Sequence, residues 1–138
     1  MVRFMKEISC INQKFSLKTV VSDDLTAIVM KSGDLPVLAT PAMIALMELT
    51  SKEMIKDYLD DDETTVGINI NVSHLKASLV GDVIETVSEL IGVDKRKLTF
   101  SVKAYCNDVL IGEGSHERFI VNEEKFMNKL IGEKNENK

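Results

Sequence analysis

The chain has little of what binds nucleic acid, crosses a membrane or holds metal through sulfur. Its 138 residues include 17 Lys and Arg against 22 Asp and Glu, a net charge of −5, which argues against the basic patch of a general nucleic-acid binder. No apolar run approaches the roughly 20 residues of a membrane span, and the first ten residues lack the apolar core of a signal peptide. Only two cysteines are present. Cys10 and Cys106 stand far apart in no metal-like spacing, so the expectation is reduced thiols in a cytoplasmic protein and no metal site. Internal repeats, low-complexity tracts and linkers are absent, and the length suits one domain over residues 1–138 with a real core.

What the sequence does have is a long apolar stretch, Val37 to Leu59. Thr40 has the side chain of an N-cap, and Pro41 sits where a helix tolerates a missing N–H. No Gly or Pro follows until the acidic run Asp60-Asp61-Asp62. The first half is apolar all round (Ala42, Met43, Ile44, Ala45, Leu46, Met47, Leu49), the pattern of a buried helix. Glu48 stands alone in that block and is expected to be paired, protonated or functional, since an unpaired buried carboxylate is costly. The second half is amphipathic, with Lys52, Glu53, Lys56 and Asp57 facing water.

Strand patterns surround this helix. Phe15 to Val21 alternates, Ser22-Asp23-Asp24 reads as a turn, and Thr26 to Met30 reads as the second strand of a hairpin. Four more follow: Thr64–Val72 with Val66, Ile68, Ile70 and Val72 on one face; Asp82–Ile91 with Val83, Val87 and Ile91; Lys97–Cys106 with Leu98, Phe100, Val102 and Ala104; and Val109–Asn122, interrupted by Gly112 and Gly114. Asn107-Asp108 is a tight turn. Asn122 caps a terminal helix carrying Phe126, Met127 and Leu130 on one side, and the polar tail from Lys134 is expected to fray. The expected fold is α+β: one long central helix wrapped by a mostly antiparallel sheet of about six strands, the hotdog arrangement. Such a sheet covers one side of the helix only, so a homodimer is expected.

Three residues could carry chemistry. A helix N-terminus at Thr40 offers amides and partial positive charge to an oxyanion. A desolvated Glu48 is a better base or nucleophile than one in water. His74, at the end of a strand, can move a proton. Each also has a plain structural role: an N-cap, a hydrogen-bonded carboxylate, an ordinary histidine. Thr40 and Glu48 are eight residues apart, about 12 Å along a helix, so either the substrate runs between them or the site mixes residues from two subunits.

The segments Ala39-Thr40-x-x-Met43-Ile44-x-Leu46-Met47-Glu48, then Gly67 and Val72-x-His74 with Gly81, then Gly112-x-Gly114-x-His116-Glu117-Arg118, resemble the fluoroacetyl-CoA thioesterase-like family of hotdog-fold thioesterases. The resemblance spans about Phe15 to Lys129. It implies hydrolysis of a small acyl-CoA by Thr40, Glu48 and His74, with Gly67 near the thioester and no cofactor, coenzyme A being part of the substrate. Leu35, Val37 and Met43, together with Met47, would shape the acyl pocket. Where the fluoroacetyl enzyme has an aromatic lid residue, this chain has Gly33-Asp34-Leu35-Pro36, so the acyl group stays open. The CoA phosphates need cations, for which Asp94-Lys95-Arg96-Lys97 and Lys76 are the candidates. Arg118 is expected to pair with Glu117 or another carboxylate. The competing readings are an acyl-CoA-binding or sensing dimer without catalysis and, last, a hydratase, for which no Asp/His pair stands at the helix entry.

Overall fold

The computed structural model of the protein describes residues 7–136. The expectation for residues 1–10 falls mostly outside that range, and that for the polar tail partly so. In chain order the elements are β1 (Lys14–Val20), a one-turn helix α1 (Ala27–Met30), the long helix α2 (Thr40–Ile55), β2 (Glu63–His74), β3 (Val83–Asp94), β4 (Lys97–Cys106), β5 (Val109–Asn122) and α3 (Glu123–Glu136). The strands form one sheet in the order β1-β3-β4-β5-β2, and every neighbouring pair is antiparallel. Helix α2 lies across β3, β4, β1 and β2. No helix among the described residues is long and apolar enough to cross a membrane.

The sheet has five strands, because the expected hairpin does not form. After β1 the chain makes a 3-10 turn over Asp23–Leu25, with the Ser22 hydroxyl on the Asp24 carboxylate, and Thr26 gives its hydroxyl to the Asp23 carbonyl at 2.7 Å. Thr26 keeps one bridge, to Leu38, and the next four residues coil into α1, closed by Lys31 at φ 61°. β1 pairs with β3 instead, from Lys14 opposite Glu89 to Val20 opposite Val83. Strand preference depends on context, and β1 takes the longer strand β3 as its partner over the short Thr26–Met30 segment.

The core is one layer of side chains between α2 and the sheet. From α2 come Ala42, Met43, Met47, Met54 and Ile55; from β4 come Leu98, Phe100, Val102 and Ala104, the face the alternation predicts. β3 turns the other way from expectation. Ile84, Thr86, Ser88 and Leu90 face inward, while Val83 and Ile91 are exposed. The inward hydroxyls find partners on the helix: Thr50 Oγ1 meets Thr86 Oγ1 at 2.5 Å and Ser51 Oγ meets Ser88 Oγ at 2.8 Å, all four buried. Buried polar groups so paired cost little, and the apolar pattern of β3 therefore misleads.

Strand β2 forms one edge. Its apolar residues are split by a register shift between Gly67 and Asn69. Ile70 and Val72 lie opposite His116 and Gly114, and Val72 packs against the core, while Ile68 is 51% and Ile70 37% exposed and Thr65 and Glu63 are buried. On α2, Ala45 and Leu49 are likewise exposed. The all-apolar block of α2 is thus buried along one stripe only. β5 runs unbroken through Gly112 and Gly114, which are needed for close packing: a Cβ on Gly112 would lie 2.5 Å from Met43 Sδ, and one on Gly114 would strike the β2 backbone at Asn71 and Val72. Asn107 and Asp108, at φ 51° and 65°, make the β4–β5 turn. Asn122 Oδ1 accepts from the Lys125 amide at 3.0 Å and caps α3.

Candidate active site

Thr40 opens α2, but its hydroxyl does not cap the helix. Ala39 occupies the cap position, with extended φ and ψ and no side-chain bond to the first turn. The Thr40 hydroxyl instead meets His74 Nδ1 at 2.8 Å. β2 ends on His74, and the bridge from Val37 to Leu79 holds the segment before α2 against the chain that follows it. The other ring nitrogen of His74, Nε2, is buried with no hydrogen-bond partner among the described residues. Burial pushes the imidazole below its ordinary 6.5, opposed by the backbone at Lys76. This pair lines a hollow of about 280 Å³ with Ala27, Val37, Leu38 and Lys76.

Glu48 lies elsewhere; it is paired, one of the states expected of it, but it is not buried. Its side chain is 41% exposed, and Oε2 stands 3.4 Å from Arg118 Nη1. It faces a second hollow, about 290 Å³, with Gly67, Ile68, Asn69, Ile70 and His116. The eight-residue spacing explains the separation: two turns of helix put the carboxylate on the flank facing β2 rather than at the mouth. A larger hollow of about 460 Å³ sits near the far end of α2 among Lys52, Lys56, Asp57 and Asp61, and none of the candidate residues lines it.

The Glu48 hollow is built by a bulge. β2 and β5 pair Gly67 with Arg118 and Asn69 with Glu117, leaving Ile68 as the extra residue. Bulges re-aim side chains beside functional sites. Here the bulge sets Gly67 under the carboxylate: a Cβ at position 67 would lie 2.8 Å from Glu48 Oε2. Just past it, the Asn69 carbonyl accepts from His116 Nδ1 at 2.7 Å. His116 Nε2 then accepts from Arg118 Nη1 at 3.1 Å. A carbonyl can only accept and a guanidinium can only donate, so the ring is neutral with its hydrogen on Nδ1. Burial, chiefly, and the neighbouring Arg118 hold its pKa below 6.5, against the Asn69 carbonyl and the charges of Glu48 and Glu117. Arg118 also donates from Nε to Thr65 Oγ1 at 2.7 Å and from Nη2 to the Thr65 carbonyl at 3.0 Å. Desolvation lowers the guanidinium pKa and Glu48 opposes the shift.

Of the residues expected to shape the acyl pocket, Val37 lines the Thr40–His74 hollow, Leu35 is 64% exposed outside it, and Met43 and Met47 are wholly buried in the core. Met43 is held there by its contact with Gly112. Among the candidate phosphate cations, Arg96 is engaged by Glu63 at 3.2 Å and Lys97 by Glu117 at 2.9 Å. Lys76 is exposed at the Thr40–His74 hollow. His116 and Arg118 were visible in the sequence as part of a motif. Their tie to Glu48 spans 70 residues and shows only in three dimensions.

An antiparallel sheet curled about one long helix is the hotdog fold, and solved structures that superpose on this chain are hotdog-fold thioesterases. A sequence profile for fluoroacetyl-CoA-specific thioesterases matches residues 21–124, and the chain belongs to that family. The fluoroacetyl-CoA thioesterase of Streptantibioticus cattleyicolor is 35% identical over 94 residues, 68% of each chain. A solved structure of a fluoroacetyl-CoA thioesterase superposes with a TM-score of 0.84 at 30% identity, over 88% of this chain and 95% of that one. A threonine-to-serine mutant in complex with acetyl-CoA does so with a TM-score of 0.84 at 28% identity, over 89% and 97%. The protein is a thioester hydrolase.

Proposed function

We propose that the chain hydrolyses a small acyl-CoA to a carboxylic acid and free coenzyme A, at a site completed between two copies. The observation that carries this reading is the Thr40–His74 pair at the mouth of α2, where the outer ring nitrogen of His74 is buried with no hydrogen-bond partner among the described residues. A solved relative holding acetyl-CoA supports a short acyl-CoA as substrate. Water attacks the thioester carbonyl while Glu48 takes its proton. The developing oxyanion lies at the first turn of α2, where unsatisfied amides and the helix dipole stabilise it. As the C–S bond breaks, the departing sulfur takes up the proton that Glu48 accepted from water, and His74, its ring neutral throughout, steadies the sulfur through a hydrogen bond from Nε2. Thr40 fixes the ring, and Lys76 faces the CoA phosphates. The substrate brings the coenzyme, and no resident cofactor is required. Two free thiols, Cys10 and Cys106, suit a cytoplasmic enzyme.

The two-copy site rests on the separate hollows and on the apolar edge. Within one chain Glu48 and the Thr40–His74 pair face different spaces. Strand β2 is a sheet edge that exposes Ile68 and Ile70, and soluble proteins ordinarily cover such an edge. Edge-to-edge pairing of two β2 strands brings Glu48 of one copy toward the pair of the other.

The test is thiol release from a panel of acetyl-, propionyl-, longer-chain and aryl-CoA esters. Glu48→Gln and His74→Ala are each expected to lose most turnover while folded. Unfolded and refolded together at equal amounts, they regain about a quarter of wild-type activity, since half the dimers are mixed and each carries one intact site. No recovery places the whole site in one chain. Wild-type turnover by Glu48→Gln removes its catalytic role, and thermal stabilisation by CoA without thiol release marks a binding protein.

A further inference from the structure

The network behind Glu48 is more elaborate than a chance ion pair. Arg118 is 6% exposed and spends Nε and Nη2 on Thr65, leaving Nη1 to reach both His116 and Glu48. His116 is 1% exposed, stacks on Phe100 with ring centroids 6.1 Å apart, and is tied to the bulged strand at Asn69. The guanidinium therefore cannot swing to follow the carboxylate. Only Oε2 of Glu48 touches it, and Oε2 also lies over Gly67. Oε1 has no hydrogen bond among the described residues. Burying an arginine with every arm committed is expensive, and a surface ion pair contributes too little stability to account for it.

We infer that Arg118, locked by Thr65 and by neutral His116, is the positioning residue for Glu48. It pins Oε2 against Gly67 and leaves Oε1 as the oxygen that works on the substrate water. This rests on the catalytic reading of Glu48 given above. His116 serves as an acceptor: its unprotonated Nε2 fixes the Nη1 edge of the guanidinium, so the neutral form of the ring is part of the device. The arrangement lets a half-exposed carboxylate hold one geometry without deep burial, and small misplacements of a catalytic group are costly in rate.

The experiment is a kinetic double-mutant cycle on the full chain. Arg118→Gln is expected to lower kcat about a hundredfold with KM changed less than about threefold. In a Glu48→Gln background the same substitution is expected to change kcat less than about threefold, because the group it positions is gone. His116→Gln, which keeps both Thr65 bonds, is expected to lower kcat about tenfold. In crystals of Arg118→Gln the Glu48 carboxylate is expected off Gly67. Equal losses in both backgrounds, or full turnover by Arg118→Gln beside an inactive Glu48→Gln, overturn the positioning role alone. Wild-type turnover by Glu48→Gln instead removes the reading beneath it. Should Arg118→Gln not fold, His116→Gln decides on the same criteria. Should the wild-type chain cleave none of the thioesters, a carboxylate unmoved from Gly67 in either variant overturns the inference, and a displaced one supports it.

Discussion

Gly67→Ala separates two accounts of that glycine. Sequence resemblance places it near the thioester, where lack of a side chain admits the substrate. The structure places the missing Cβ 2.8 Å from Glu48 Oε2, with His116 Cε1 at 3.3 Å and Arg118 Nη1 at 3.4 Å. The backbone at Gly67 is not left-handed, so alanine is allowed there, and ordinary contact begins near 3.4 Å. The carboxylate, the free end of a flexible side chain, must therefore retreat by at least about 0.6 Å. Stability barely responds: the glycine-to-alanine gain of about 0.4–1 kcal/mol in the unfolded chain offsets the strained ion pair, and Tm stays within about 5 °C. Rate responds strongly. A displacement approaching 1 Å costs up to a hundredfold, about 2.7 kcal/mol in the barrier. The expected result is a kcat about 10- to 100-fold lower with KM little changed, measured by thiol release beside a thermal melt. A raised KM at unchanged kcat would support the substrate-approach account, and full activity would refute both. Gly114→Ala is the contrast: its Cβ strikes β2 backbone that cannot yield, so it is expected to lose about 3 kcal/mol or more of stability.

Two further outcomes follow from the buried polar groups. Thr50→Val strands the Thr86 hydroxyl in the core and is expected to cost about 1–3 kcal/mol in urea unfolding, whereas Thr50→Val with Thr86→Val returns near wild type. His74 and His116 both titrate below 6.5 when folded, so unfolding takes up protons as pH falls past 6.5 and stability declines from there toward the folded values. Thermal melts from pH 7.5 to 5.5 are expected to show a smaller fall for His116→Gln than for wild type, and an equal fall would refute the assignment of His116 as a neutral ring.

Much of the architecture was legible in local pattern. Pro41 and the Gly-free run marked α2, Asn107-Asp108 marked a hairpin, and Leu98, Phe100, Val102 and Ala104 marked the inward face of β4. On β3 the more apolar face is the exposed one, because Thr86 and Ser88 meet helix hydroxyls; on β2 the bulge at Ile68 splits the apolar run between two faces, and Thr65 is held inside by Arg118. Alternation assumes that polar residues seek water, and it fails where they seek each other. The hairpin after β1 was lost to a partner more than 60 residues away.

The amino-acid sequence by itself determined the long helix, the succession of the four strands that follow it and the candidate trio of Thr40, Glu48 and His74, because propensity and spacing are local. Only the tertiary structure decided how those three are partnered. It turned the Thr40 hydroxyl from helix cap to imidazole partner, set Glu48 on the flank of α2 beside Arg118, and put Gly67 beneath the carboxylate through a one-residue bulge. Register across antiparallel strands is settled by the whole sheet closing on its helix, and no short stretch of chain contains that information.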